Sequence, residues 1–94
     1  MVTRWWWVRH GPVPSQKGHI YGQKDVSCDT SDLAAFEGLA KVLPQDAIWV
    51  TSNLVRTHET LQAIWQQSGQ QGEALAEPDF AEQSFGDWEG LAWK

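Results

Sequence analysis

Two short apolar runs that do not alternate with polar residues constrain this chain most. Trp5-Trp6-Trp7-Val8, within residues 3–9, and Ala47-Ile48-Trp49-Val50-Thr51 are rich in aromatic and β-branched side chains. An extended run that is apolar on both sides suits a strand with both sheet faces covered, as in a parallel sheet. The first run ends at a turn signal, Gly11-Pro12. Between the runs, Leu33, Phe36, Leu39, Ala40 and Leu43 recur at three- and four-residue steps, which predicts an amphipathic helix. Asp29, Thr30 and Ser31 are available as its caps, and Pro44 stops it. After the second run, Ser52-Asn53 offers caps for another helix that carries Leu54, Leu61, Ile64 and Trp65 on one side and runs to about Gln67. A polar Gln/Gly/Ser linker over 66–72 leads to a weaker strand candidate over 74–77, ended by Pro78. Strands alternating with helices predict βαβ units. The expected fold class is therefore α/β, three-layer α/β/α with a mainly parallel sheet, its chemistry gathered at the carboxyl ends of the strands.

At 94 residues the chain holds at most one domain, near the low end of what one hydrophobic core can keep folded. Hydrophobic residues at 41% and charged residues at 20% exclude both a disordered tail and a membrane protein. The run from Trp5 to Val8 is too short to span a bilayer and unlike a secretory signal, so a cytoplasmic location is expected. Cys28 is the one cysteine, which rules out an internal disulfide framework. With His10, His19 and His58 scattered, no metal-ligand spacing exists and no metal is expected. Seven basic against twelve acidic residues, net charge -5, argue against a broad nucleic-acid or anionic-membrane surface. Any bound anion must be held by a few focused groups.

Residues 11–30, with three glycines and two prolines, have neither helical nor strand period. Loops this long in compact domains are usually functional or mobile, which draws attention to what flanks them. Arg9-His10-Gly11 stands just past the first run. An arginine supplies a planar fork for phosphate oxygens, a neutral histidine can act as a nucleophile, and a glycine lets a ligand approach the backbone. The same trio also fits a strand end with solvated side chains and a turn. Ser52-Asn53-Leu54-Val55-Arg56-Thr57 puts a second arginine in the first turns of a helix, whose free amides and dipole favour an anion. Glu82-Gln83-Ser84-Phe85-Gly86-Asp87-Trp88-Glu89-Gly90 combines a carboxyl with aromatic residues that could exclude water from it. His19 reads as a solvated loop residue and His58 as a helix residue beside Arg56. Trp5, Trp6, Trp7 and Trp49 read as core packing.

Taken together, these elements resemble the histidine phosphatase superfamily, the phosphoglycerate mutase-like group. The resemblance rests on Val8-Arg9-His10-Gly11, on Tyr21-Gly22-Gln23-Lys24-Asp25-Val26, on Ser52 through Thr57 with His58 and Thr60 after them, and on Glu82 ahead of Phe85-Gly86-Asp87-Trp88-Glu89-Gly90. It spans nearly the whole chain, in the family's order. It implies a metal-independent phosphatase that hydrolyses a small phosphomonoester without a cofactor. His10 would become a phosphohistidine, Arg9 and Arg56 would clamp the nonbridging oxygens, Glu82 would serve as the proton donor, and Gly22 and Gln23 would contact substrate. Charge on a transferring phosphoryl group is spread over its oxygens, so positioned guanidinium groups carry much of the stabilisation.

Two departures from the family pattern stand out. Members carry a second histidine in the C-terminal half, which neither His19 nor His58 matches, and many place a hydroxyl where this chain has Val13. Residues 1–94 therefore read as the N-terminal half of a single histidine phosphatase-like domain, an incomplete phosphoglycerate mutase-like fold. If its apolar surfaces are normally covered, the isolated chain is expected to self-associate, with a homodimer as the simplest form. Two alternatives remain open. One is phosphoglycerate mutase-type phosphoryl transfer, which is disfavoured by Pro12-Val13-Pro14-Ser15 after the glycine. The other is a noncatalytic half-domain that binds a phosphate or a protein partner without turnover.

Overall fold

The structure, a computed structural model, describes residues 3–16, 19, 21–23, 25–44, 46–82, 84, 87, 89 and 91. The first helix, α1 (Leu33–Val42), starts at Asp32, whose side chain accepts from the Ala35 N–H at 3.2 Å. The caps expected from the sequence lie one to three residues too early. Asp29 is engaged elsewhere, accepting from the Ser31 N–H at 2.9 Å in a local turn that keeps the chain out of helix until Asp32. The helix ends at Leu43, which is extended, as the residue before Pro44 is biased to be.

A short strand, β1 (Val50–Thr51), leads into the second helix, α2 (Val55–Ser68). Gly69, at a left-handed φ of 73°, ends that helix. The chain then returns as β2 (Leu75–Ala76), which lies parallel to β1 with Val50 opposite Leu75 and Thr51 opposite Ala76. This is the βαβ unit that the strand–helix alternation predicts. The weak strand candidate over 74–77 does pair.

The core forms where the apolar stripes of the helices meet. Phe36 of α1 packs with Leu61, Ala63, Ile64 and Trp65 of α2, and Leu39, Ala40, Leu43, Trp49 and Ala74 close around them. Trp49 meets Trp65 edge-to-face at 5.7 Å and 82°, a geometry worth about 0.5–1.5 kcal/mol beyond the area it buries. The buried stripe of α2 runs on toward its N-terminus through Thr60 and Arg56. Residues four apart share a helix face, so the face that builds the core also aims Arg56 inward.

Residues 3–9 depart from expectation, because they form no strand. Trp5, Trp6 and Trp7, expected in the core, are 65%, 53% and 77% exposed. Trp5 stacks on Trp7 at 5.9 Å, and Trp7 meets Phe80 edge-on at 6.2 Å. A cavity of about 510 Å³ is lined by this segment, including Trp7 and Val8, and by Val50, Leu61 and Phe80. The reason is one of cover. A run apolar on both sides needs a layer on each sheet face, whereas α1 packs on α2 and α2 on β1, and the only further helical elements among the described residues are two three-residue 3-10 turns, Pro14–Gln16 and Pro78–Phe80. Among the described residues, two α-helices and a two-stranded parallel sheet form the α/β fold that the sequence leads one to expect, as an incomplete part of it. No helix among the described residues is long and apolar enough to cross a membrane.

Candidate active site

His10 ends the first extended segment and is half-buried. Its Nδ1 lies 2.6 Å from the Gly11 carbonyl oxygen. A carbonyl only accepts, so this contact is a hydrogen bond when Nδ1 carries the proton, the tautomer that leaves a lone pair on Nε2. Gly11 is buried, and its N–H donates to Thr60 Oγ1 at 2.9 Å. A Cβ at this position would stand 2.7 Å from the Asp29 carbonyl oxygen, so glycine is required by a close backbone approach. The Asp29 N–H donates to the Pro12 carbonyl at 2.6 Å and lays the far end of the long loop against the residue after Gly11.

Arg56, the second residue of α2, has no solvent exposure. Its Nη2 donates to the Gly22 carbonyl oxygen, and its guanidinium carbon lies 4.9 Å from the centre of the Tyr21 ring. A cation over an aromatic face is attracted to the ring's negative face, all the more strongly when both are desolvated. The same ring meets His10 edge-on at 6.2 Å. Tyr21 is thus the side chain through which His10 and Arg56 are brought together. Gly22 is buried at a left-handed φ of 44°, the conformation in which its carbonyl meets the guanidinium.

The start of α2 is built differently from the sequence expectation. Its N-cap residue is Leu54, which makes no side-chain cap, while Ser52 Oγ accepts from the Leu54 N–H at 3.2 Å. Asp25, from the long loop, accepts from the Val55 N–H at 2.7 Å. A carboxylate at a helix N-terminus is favoured by the dipole. One of the amides that the sequence leaves open for a bound anion is therefore taken by the chain's own carboxylate.

The other sequence candidates lie farther out. Arg9 is exposed. Gln23 is exposed, and its N–H donates to Glu89 Oε1 at 2.9 Å. Glu82 is exposed just beyond the 3-10 turn Pro78–Phe80, and Phe85 and Trp88, expected to shield it, lie outside the described residues. Lys24, Gln83, Gly86, Gly90 and Trp93 lie outside them as well. His19 is exposed and His58 is half-buried on α2. Val13, which stands where many family members place a hydroxyl, is a buried core residue. The structure gathers His10, Gly22 and Arg56 around Tyr21 and leaves Arg9, Gln23 and Glu82 at the surface. Roles for Tyr21, Asp25 and Thr60 went unread in the sequence. Only Thr60 had a local signal, its four-residue spacing from Arg56 on one helix face. Asp29 is held below the ordinary aspartate range by the Ser31 hydroxyl and then by the Ser31 N–H.

A sequence model of the histidine phosphatase superfamily, branch 1, matches residues 5–94. The chain belongs to the histidine phosphatase superfamily. Solved structures share the fold of this chain. TTHB049 from Thermus thermophilus is 24% identical with a TM-score of 0.69, over 90% of this chain and 46% of its own. A mycobacterial glucosyl-3-phosphoglycerate phosphatase is 22% identical with a TM-score of 0.69, over 88% and 40%. A protein described as mycobacterial hydrolase 1 is 27% identical with a TM-score of 0.70, again over 88% and 40%. The chain spans less than half the length of each. No curated protein matches its sequence.

Proposed function

We propose that residues 1–94 are the N-terminal half of a metal-independent histidine phosphatase that hydrolyses a small phosphomonoester through a phosphohistidine at His10. The observation that carries this reading is a wholly buried guanidinium, Arg56, sharing the Tyr21 ring with a histidine whose Nδ1 lies against the Gly11 carbonyl. A guanidinium is a planar fork of donors that matches phosphoryl oxygens, and the Gly22 carbonyl and the Tyr21 ring hold this one in a fixed place beside His10. Family membership supports the same reading, as does the phosphatase among the proteins of similar fold.

In the proposed reaction the Nε2 lone pair attacks phosphorus, the ester P–O bond breaks, and the leaving alkoxide takes a proton from Glu82. Water then attacks the phosphohistidine, giving its proton to the Glu82 carboxylate as the N–P bond breaks, and orthophosphate leaves. Arg9 and Arg56 neutralise the oxygens on which charge collects. Gly22 and Gln23 border the substrate. Arg9, Gln23 and Glu82 would have to turn inward when substrate binds, as exposed loop side chains can. A cytoplasmic location and a small phosphorylated substrate, rather than nucleic acid or membrane, go with this reading.

The test is made on the full-length gene product. Release of inorganic phosphate from p-nitrophenyl phosphate, with acid-labile label from a radiolabelled phosphodonor on His10, is the expected outcome. Both should vanish in His10→Ala; activity that survives the substitution refutes the proposal.

A further inference from the structure

Thr60 is 5% exposed and lies one helical turn after Arg56 on the inward face of α2. Its hydroxyl donates to the Arg56 carbonyl at 2.8 Å. Such bonding back to the residue four before is common for threonine in helices. The second bond is not explained by the helix. Thr60 Oγ1 accepts from the Gly11 N–H at 2.9 Å, across 49 residues of sequence. A hydroxyl has one proton and two lone pairs, so donation to Arg56 orients the acceptor side toward Gly11. The Cys28 thiol, 3.4 Å from the same Arg56 carbonyl and 3.6 Å from Thr60 Oγ1, packs the remaining side.

Both backbone groups of Gly11 are therefore committed, the N–H to Thr60 and the carbonyl to His10 Nδ1. We propose that Thr60 is a positioning residue for His10: by anchoring Gly11 it aims the carbonyl that holds the ring proton on Nδ1, leaving Nε2 as the nucleophile. The functional meaning rests on the phosphohistidine reading above. Because Thr60 sits on the helix that carries Arg56, one hydroxyl sets the attacking ring and the guanidinium in a common frame. Misplacement of a reacting group by about 1 Å can cost on the order of a hundredfold in rate.

Thr60→Val removes the hydroxyl at nearly constant shape, and Thr60→Ser keeps it. Long-range proton–nitrogen correlation spectra of the unliganded chain read the His10 tautomer, and amide exchange reads Gly11. The wild type and Thr60→Ser should hold the proton on Nδ1. Thr60→Val should show a mixture of tautomers and a Gly11 amide that exchanges about tenfold faster, as expected for a lost hydrogen bond. Wild-type tautomer and exchange in Thr60→Val overturn the proposal. Should that variant not fold, the wild-type spectrum decides: a proton on Nδ1 with a protected Gly11 amide supports it, and a proton on Nε2 or an unprotected amide overturns it. These spectra use no substrate. A chain that never labels at His10 would sink the phosphatase reading and leave the tautomer result standing, and the converse also holds.

Discussion

Replacing Gly11 by alanine puts a methyl group 2.7 Å from the Asp29 carbonyl oxygen and 3.4 Å from Cys28 Sγ. Gly11 is not among the glycines with positive φ, so the effect is one of contact rather than of backbone strain. The Asp29 carbonyl has little freedom to retreat, because the N–H of the same residue is bonded to Pro12 at 2.6 Å. Forcing extra volume into a packed site costs about 1–3 kcal/mol. Gly38 is the internal control, since it lies on the exposed face of α1 with nothing within 4 Å of an added Cβ. Both substitutions remove a similar unfolded-state entropy, about 0.4–1 kcal/mol, which cancels in their difference. What remains is the overlap at Gly11, so Gly11→Ala should be less stable than Gly38→Ala by about 1–3 kcal/mol. With a urea slope of about 1 kcal/mol/M for a chain of this size, the two unfolding midpoints should differ by about 1–3 M. Gly38→Ala itself should lie above wild type, because alanine is the better helix former. Coincident midpoints for the two variants would refute the reading of Gly11 as a position closed by the loop backbone.

Asp25→Ala removes the carboxylate that accepts from the Val55 N–H and should cost about 0.5–2 kcal/mol in urea unfolding, with a smaller loss at high salt. Asp29 should titrate below an ordinary aspartate in carboxyl NMR spectra, because Ser31 donates to its ionised form. Its folded value is depressed, so its contribution to stability is present above the unfolded value of about 3.9 and lost as pH falls through the folded one. Asp29→Asn should remove that part of the acid slope.

Much of the molecule could be read one segment at a time. The apolar spacing from Leu33 to Leu43 and from Leu54 to Trp65 marks both helices, because a helix face depends only on residues three and four apart. Pro44, Gly69 and Pro78 punctuate the chain for equally local reasons. Arg9-His10-Gly11 and the arginine early in α2 identify the family without reference to any contact. Caps were less secure, since Asp29, Asp32, Ser52 and Asp25 can all offer an oxygen and tertiary position selects among them.

The tertiary structure alone decided which groups meet. The Trp5–Trp7 run has the composition of a buried strand, yet a strand is completed by neighbours and cover that its own residues do not supply, and these tryptophans lie exposed. Tyr21 stands between His10 and Arg56 because a long loop closes back on α2, and no periodicity encodes such a closure. Sequence determined the local propensities and the reactive residue types, whose physics acts over a few neighbouring residues. The fold determined the hydrogen bond from Gly11 to Thr60, because its two partners become neighbours only when 49 residues of chain are laid between them in space.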